Sequence, residues 1–63
     1  MKAVKRRNGK TVFRVNTAFY SRNLVEQVFG KGKEVEEYMV FETTLSEKEV
    51  YDKFNELMEM MQS

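Results

Sequence analysis

Neither cysteine nor histidine occurs in this chain of 63 residues, and that absence sets the terms on which it can fold. A chain of this size hides only about 60% of its unfolded surface, which leaves a marginal core. Small domains commonly compensate with disulfides, a structural metal or oligomerisation. Without Cys there is no disulfide, and without Cys and His none of the common zinc arrangements, so no metal or cofactor is expected. The expectation is one domain over residues 1–63, stabilised by self-association, most simply through an isologous dimer contact. A cysteine-free chain also fits a reducing, cytoplasmic setting. The basic stretch Met1–Lys10 has no apolar segment behind it and does not read as a secretory signal. The longest apolar run, Tyr38-Met39-Val40-Phe41, is far short of the roughly 20 residues that cross a bilayer, so no membrane partner is expected.

The local signals describe an α+β chain. Ser46-Glu47-Lys48-Glu49 has the form of a capping box, with Leu45 and Val50 placed as a hydrophobic staple. Behind it Val50, Phe54, Leu57 and Met61 recur at helical spacing, flanked by Tyr51 and Met58, with no Pro or Gly over residues 47–62. At the other end Asn8-Gly9 is the favoured pair for a tight hairpin turn, because both central residues need positive φ. Its flanks, Lys2–Arg7 and Lys10–Tyr20, are rich in β-branched and aromatic residues. A third strand is expected over Val35–Thr44. Residues 23–30 suit a two-turn helix with Asn23 as cap and Gly30 as stop, although their β-branched residues would also tolerate a strand. The expected fold is a three-stranded antiparallel sheet, an N-terminal hairpin plus one strand, packed by the C-terminal amphipathic helix.

Charge is divided along the chain. Residues 1–33 hold nine basic side chains and one acid, Glu26, whereas residues 34–63 hold two basic side chains and nine acids. Such a split points to two differently charged surfaces and so to binding. A two-residue loop at Asn8-Gly9 pairs Lys5 with Val12 and Val4 with Phe13. Strand alternation then puts Val4, Thr11, Phe13, Val15 and Phe19 on the core face. Lys5, Arg7, Lys10, Arg14 and Tyr20 fall on the opposite face, a candidate phosphate-binding surface. Lys2 and Arg6 lie on the core side and would have to snorkel outward. On the helix, Glu49, Asp52, Glu56 and Glu59 form an acidic ridge opposite the apolar stripe. If Met39 and Phe41 point inward, Glu36 and Glu42 share the basic face and neutralise part of it, so a structural role for those cations weighs equally.

Inventory excludes most catalytic arrangements, since no His or Cys can serve as nucleophile or histidine base. Gly30-Lys31-Gly32-Lys33 lacks P-loop spacing and reads as a helix stop followed by a basic turn. Glu34 and Glu36, about 7 Å apart on a strand, have no cleft to tune them. Met60 lies off the main stripe, and flexible Met at an exposed end suits an adaptable contact, here an oligomer contact. Three classes result. First comes a non-enzymatic protein-interaction module that self-associates or regulates a larger partner. Second is a nucleic-acid-binding module using the basic face, against which the near-balanced total charge speaks. Catalysis is a distant third.

Overall fold

Asn8 and Gly9 both adopt positive φ, 53° and 76°, and fold the N-terminus into a hairpin of β1 (Lys2–Arg7) and β2 (Lys10–Asn16). The computed structural model describes the backbone of residues 2–62 and the side chains of residues 4–62. The expected register holds next to the turn, with Arg7 opposite Lys10 and Lys5 opposite Val12. It then shifts, because Lys2 faces Arg14. Two residues of β1, Ala3 and Val4, thus stand against Phe13 alone, and the expected Val4–Phe13 pair is replaced by a bulge.

Helix α1 (Arg22–Phe29) and strands β3 (Lys33–Val35) and β4 (Tyr38–Thr43) follow, and α2 (Glu47–Gln62) closes the chain. All strand pairs are antiparallel, in the order β1-β2-β4-β3. The sheet therefore has four strands rather than the three expected. What reads as one strand over Val35–Thr44 is broken by a two-residue turn at Glu36-Glu37, where Glu36 takes φ 55°. Glutamate is an unusual residue at positive φ, so the sequence carries no turn signal there. The turn is tied from outside instead: the Thr17 backbone N–H and hydroxyl both donate to the Glu37 carbonyl, each at 2.8 Å.

The same region corrects the end of β2, which stops at Asn16 rather than Tyr20. The Asn16 side chain accepts from the Ala18 N–H at 2.8 Å, offering the backbone a turn in place of the ladder. Phe19 is consequently outside the core, 74% exposed. Residues 22–29 are helical as expected, but the N-cap is Ser21 rather than Asn23, and Gly30 ends the helix at φ 86°.

Both helices cover one face of the sheet. Phe13, Val15, Met39 and Phe41 from the strands, Val25 from α1, and Val50 and Leu57 from α2 form the buried core. At the start of α2 the capping box is formed: the Glu49 N–H donates to Ser46 Oγ at 3.2 Å, and the Ser46 N–H donates to Glu49 Oε1 at 3.0 Å. That second bond stabilises the ionised carboxylate and holds the Glu49 pKa below its usual range.

Candidate functional site

The opposite face of the sheet has no helix on it. Register and alternation put Lys5 and Arg7 of β1 on that face, with Lys10, Val12 and Arg14 of β2. Tyr38, Val40 and Glu42 of β4 follow from β2, and Lys33 and Val35 of β3 from β4. The inward position of Met39 and Phe41 thus sends Glu42 outward, where its carboxylate lies 3.7 Å from Lys10 Nζ. Glu36 does not join it, because it sits in the β3–β4 turn. Among the described residues the face therefore carries five cations against one carboxylate. Lys5, Arg7 and Lys33 take part in no ion pair there.

The centre of the face is apolar. Val12 and Val40 are half-buried, and with Lys5, Phe13 and Arg14 they line a shallow depression of about 360 Å³ beside the bulge. The Arg14 guanidinium is seated 4.5 Å from the Tyr38 ring centroid, a contact that restricts the guanidinium and occupies one side of the ring. Tyr20 is not a member of this face. Past the end of β2 the chain turns it back toward the core, where its ring meets Phe54 edge-on at 5.2 Å. The aromatic at the margin of the cations is instead Tyr38, which strand alternation turns outward with Val40 once Met39 and Phe41 point to the core.

Arg6 behaves differently from the outward-reaching side chain expected of it. Its guanidinium donates to the Thr11 hydroxyl at 2.7 Å, to the Leu45 carbonyl at 3.3 Å and to the Gly9 carbonyl at 3.0 Å. The buried Thr11 hydroxyl donates in turn to the Leu45 carbonyl. Arg6 is thus a clamp between the hairpin and the segment entering α2, and no part of the basic face. The acidic ridge lies on the far side of the molecule, with Glu49, Asp52, Glu56 and Glu59 all exposed and Asp52 paired with Lys48 at 3.2 Å. Met60 is half-buried, while Tyr51, Met58 and Met61 are the more exposed apolar residues of α2. Glu34 pairs with Arg22 at 2.7 Å, on a different element from Glu36, so the two glutamates do not share a strand.

A further hollow, absent from the sequence-based picture, lies at the other edge of the sheet. A cleft of about 390 Å³ opens between β4, the α1–β3 loop and α2. The ladder explains it: β3 reaches only as far as Val40 on its partner, so the end of β4 has no strand beyond it. The chain matches no protein-family model, no curated protein and no solved structure. Among the described residues no helix is long and apolar enough to cross a membrane, and no group of three acidic side chains is arranged to hold a metal ion.

Proposed function

We propose that this is a small non-enzymatic binding protein that acts through protein–protein contact, with the uncovered face of the sheet as its docking surface. The observation that best supports this reading is the layout of that face. Val12 and Val40 lie at its centre with Tyr38 and Arg14 beside them, and Lys5, Arg7, Lys10 and Lys33 surround them. Protein interfaces combine an apolar centre enriched in aromatic residues and Arg with a polar rim. A face charged in one sense selects a partner of the other, so the partner surface is acidic. A larger protein regulated by this one would fit, as would self-association through the acidic ridge of α2. The cysteine-free chain accords with a cytoplasmic setting.

The five cations also favour a second reading, docking of a nucleic-acid backbone. It has less support from the aromatic content. Sheets that hold bases do so by stacking them on rings, and the one ring on this face, Tyr38, already carries Arg14 on one side. Affinity capture with the full chain and with Arg14→Glu, each with and without nuclease, separates the two. The protein-binding reading expects partners that survive nuclease, are released by salt and are lost with Arg14→Glu. Capture abolished by nuclease would replace it with the nucleic-acid reading.

A further inference from the structure

The cleft at the open edge of β4 has a floor and a rim of different chemistry. Its floor holds Val28, Phe29 and Phe41. Phe29 and Phe41 pack with Phe13, with ring centroids 4.9, 5.1 and 5.5 Å apart. This aromatic cluster is fixed from below by the core, since Phe13 and Phe41 are buried, while Phe29 is half-buried. The rim carries Lys31 and Lys33 from the loop and β3, and Lys53 from α2. None of the three lysines is in an ion pair among the described residues. Glu42 also lines the cleft, and its carboxylate is directed to Lys10.

Gly32 sets how closely the loop approaches. A Cβ placed on it would stand 2.8 Å from the Phe41 ring and 2.9 Å from the Val40 carbonyl. The loop therefore lies against the ring at contact distance, and only glycine lets Lys31 and Lys33 flank the floor so closely. Lys33 and Val40 belong both to the cleft and to the uncovered sheet face, so the two surfaces are continuous.

We infer that this cleft is the anchor pocket of the docking surface, and that it takes an apolar, preferably aromatic, side chain of an acidic partner segment whose carboxylates meet Lys31, Lys33 and Lys53. This rests on the protein-binding reading above. Three observations point to that occupant: a preformed apolar floor, three rim cations without ion-pair partners among the described residues, and a volume within the range of ligand-binding clefts. Interface energy concentrates in such anchors, while the surrounding contacts set complementarity.

The test uses the whole 63-residue chain, isotopically labelled for amide NMR. The probe is a short peptide of glutamates and glycines with one central phenylalanine, compared with the same peptide carrying glutamine there. We expect the phenylalanine peptide to shift the amides of Val28, Phe29, Gly32 and Phe41, and to bind about tenfold or more tightly than its glutamine counterpart. Lys31→Glu with Lys53→Glu, the first exposed and the second half-buried, should weaken binding of the phenylalanine peptide about tenfold or more while leaving the spectrum folded. Equal binding of the two peptides, with shifts confined to Lys5, Val12, Arg14 and Tyr38, would overturn the anchor and leave the docking face standing. No shift with either peptide would count against both. Cleft shifts that depend on protein concentration without peptide would assign the pocket to a second copy of this chain and overturn the separate partner segment.

Discussion

Replacing Thr11 by Val is the sharpest probe of how this small fold is held together. Among the described residues Thr11 is the one buried polar side chain, fully shielded from solvent. Its hydroxyl accepts from Arg6 and donates to the carbonyl of Leu45, joining the hairpin to the entrance of α2. Valine keeps the shape and removes both bonds. A neutral hydrogen bond contributes about 0.5–1.5 kcal/mol net, and one to a charged group about 1.5–3 kcal/mol. Two corrections apply. Arg6 is exposed and regains water, and its guanidinium still reaches the Leu45 carbonyl at 3.3 Å. The added methyl returns about 0.8 kcal/mol through burial. The balance is a loss of about 1–2 kcal/mol. With a urea slope near 1 kcal/mol/M, as for the smallest domains, the midpoint should fall by about 1–2 M. Arg6→Ala alone and combined with Thr11→Val completes a double-mutant cycle, in which the pair should couple by about 1 kcal/mol. A midpoint unchanged or raised by Thr11→Val would show that the polar clamp adds nothing over an apolar contact and would refute the argument.

Leu57→Ala should cost about 2–5 kcal/mol in urea unfolding, because Leu57 is fully buried. Phe54→Ala should cost less than its size suggests, because Phe54 is only half-buried. Ser46→Ala should lose about 1 kcal/mol through the cap. The lowered pKa of Glu49, caused first by its bond from the Ser46 N–H, adds stability above the ordinary carboxylate range. That share is lost as the pH falls through the folded value, so Glu49→Gln should flatten the acid limb of a thermal-melting profile. Lys10→Ala with Arg14→Ala should change stability by under about 1 kcal/mol, since an exposed pair at 3.7 Å and a surface cation–π contact are all that is removed. A large drop in melting temperature would mean that the basic face is structural. Glu36→Asn should stabilise by up to about 1 kcal/mol, because asparagine tolerates the φ of 55° better than glutamate; an unchanged or lower urea midpoint would contradict that.

What the sequence determined by itself is whatever depends on neighbours along the chain. The Asn8-Gly9 turn and the Ser46–Glu49 box rest on contacts within a few residues, and each forms as read. Of the apolar stripe of α2, Val50 and Leu57 are buried and Phe54 is half-buried, whereas Met61 is exposed. Alternation next to the turn likewise put Lys5, Arg7, Lys10 and Arg14 on one exposed face. Tertiary contacts decided the rest. Glu36 turns the chain against its own preference because Thr17, distant in sequence, bonds the next carbonyl. That turn makes a fourth strand, removes Glu36 from the basic face and leaves β3 too short to cover the end of β4. Tyr20 and Phe19 parted company at the Asn16 turn, one to the core and the other to solvent. Arg6 became a clamp only because Leu45, 39 residues further along the chain, arrives beside it past the end of β4. The cleft, with a floor from α1 and β4 and cations from β3 and α2, has no signature along the chain, since a pocket belongs to the surfaces that packing brings together.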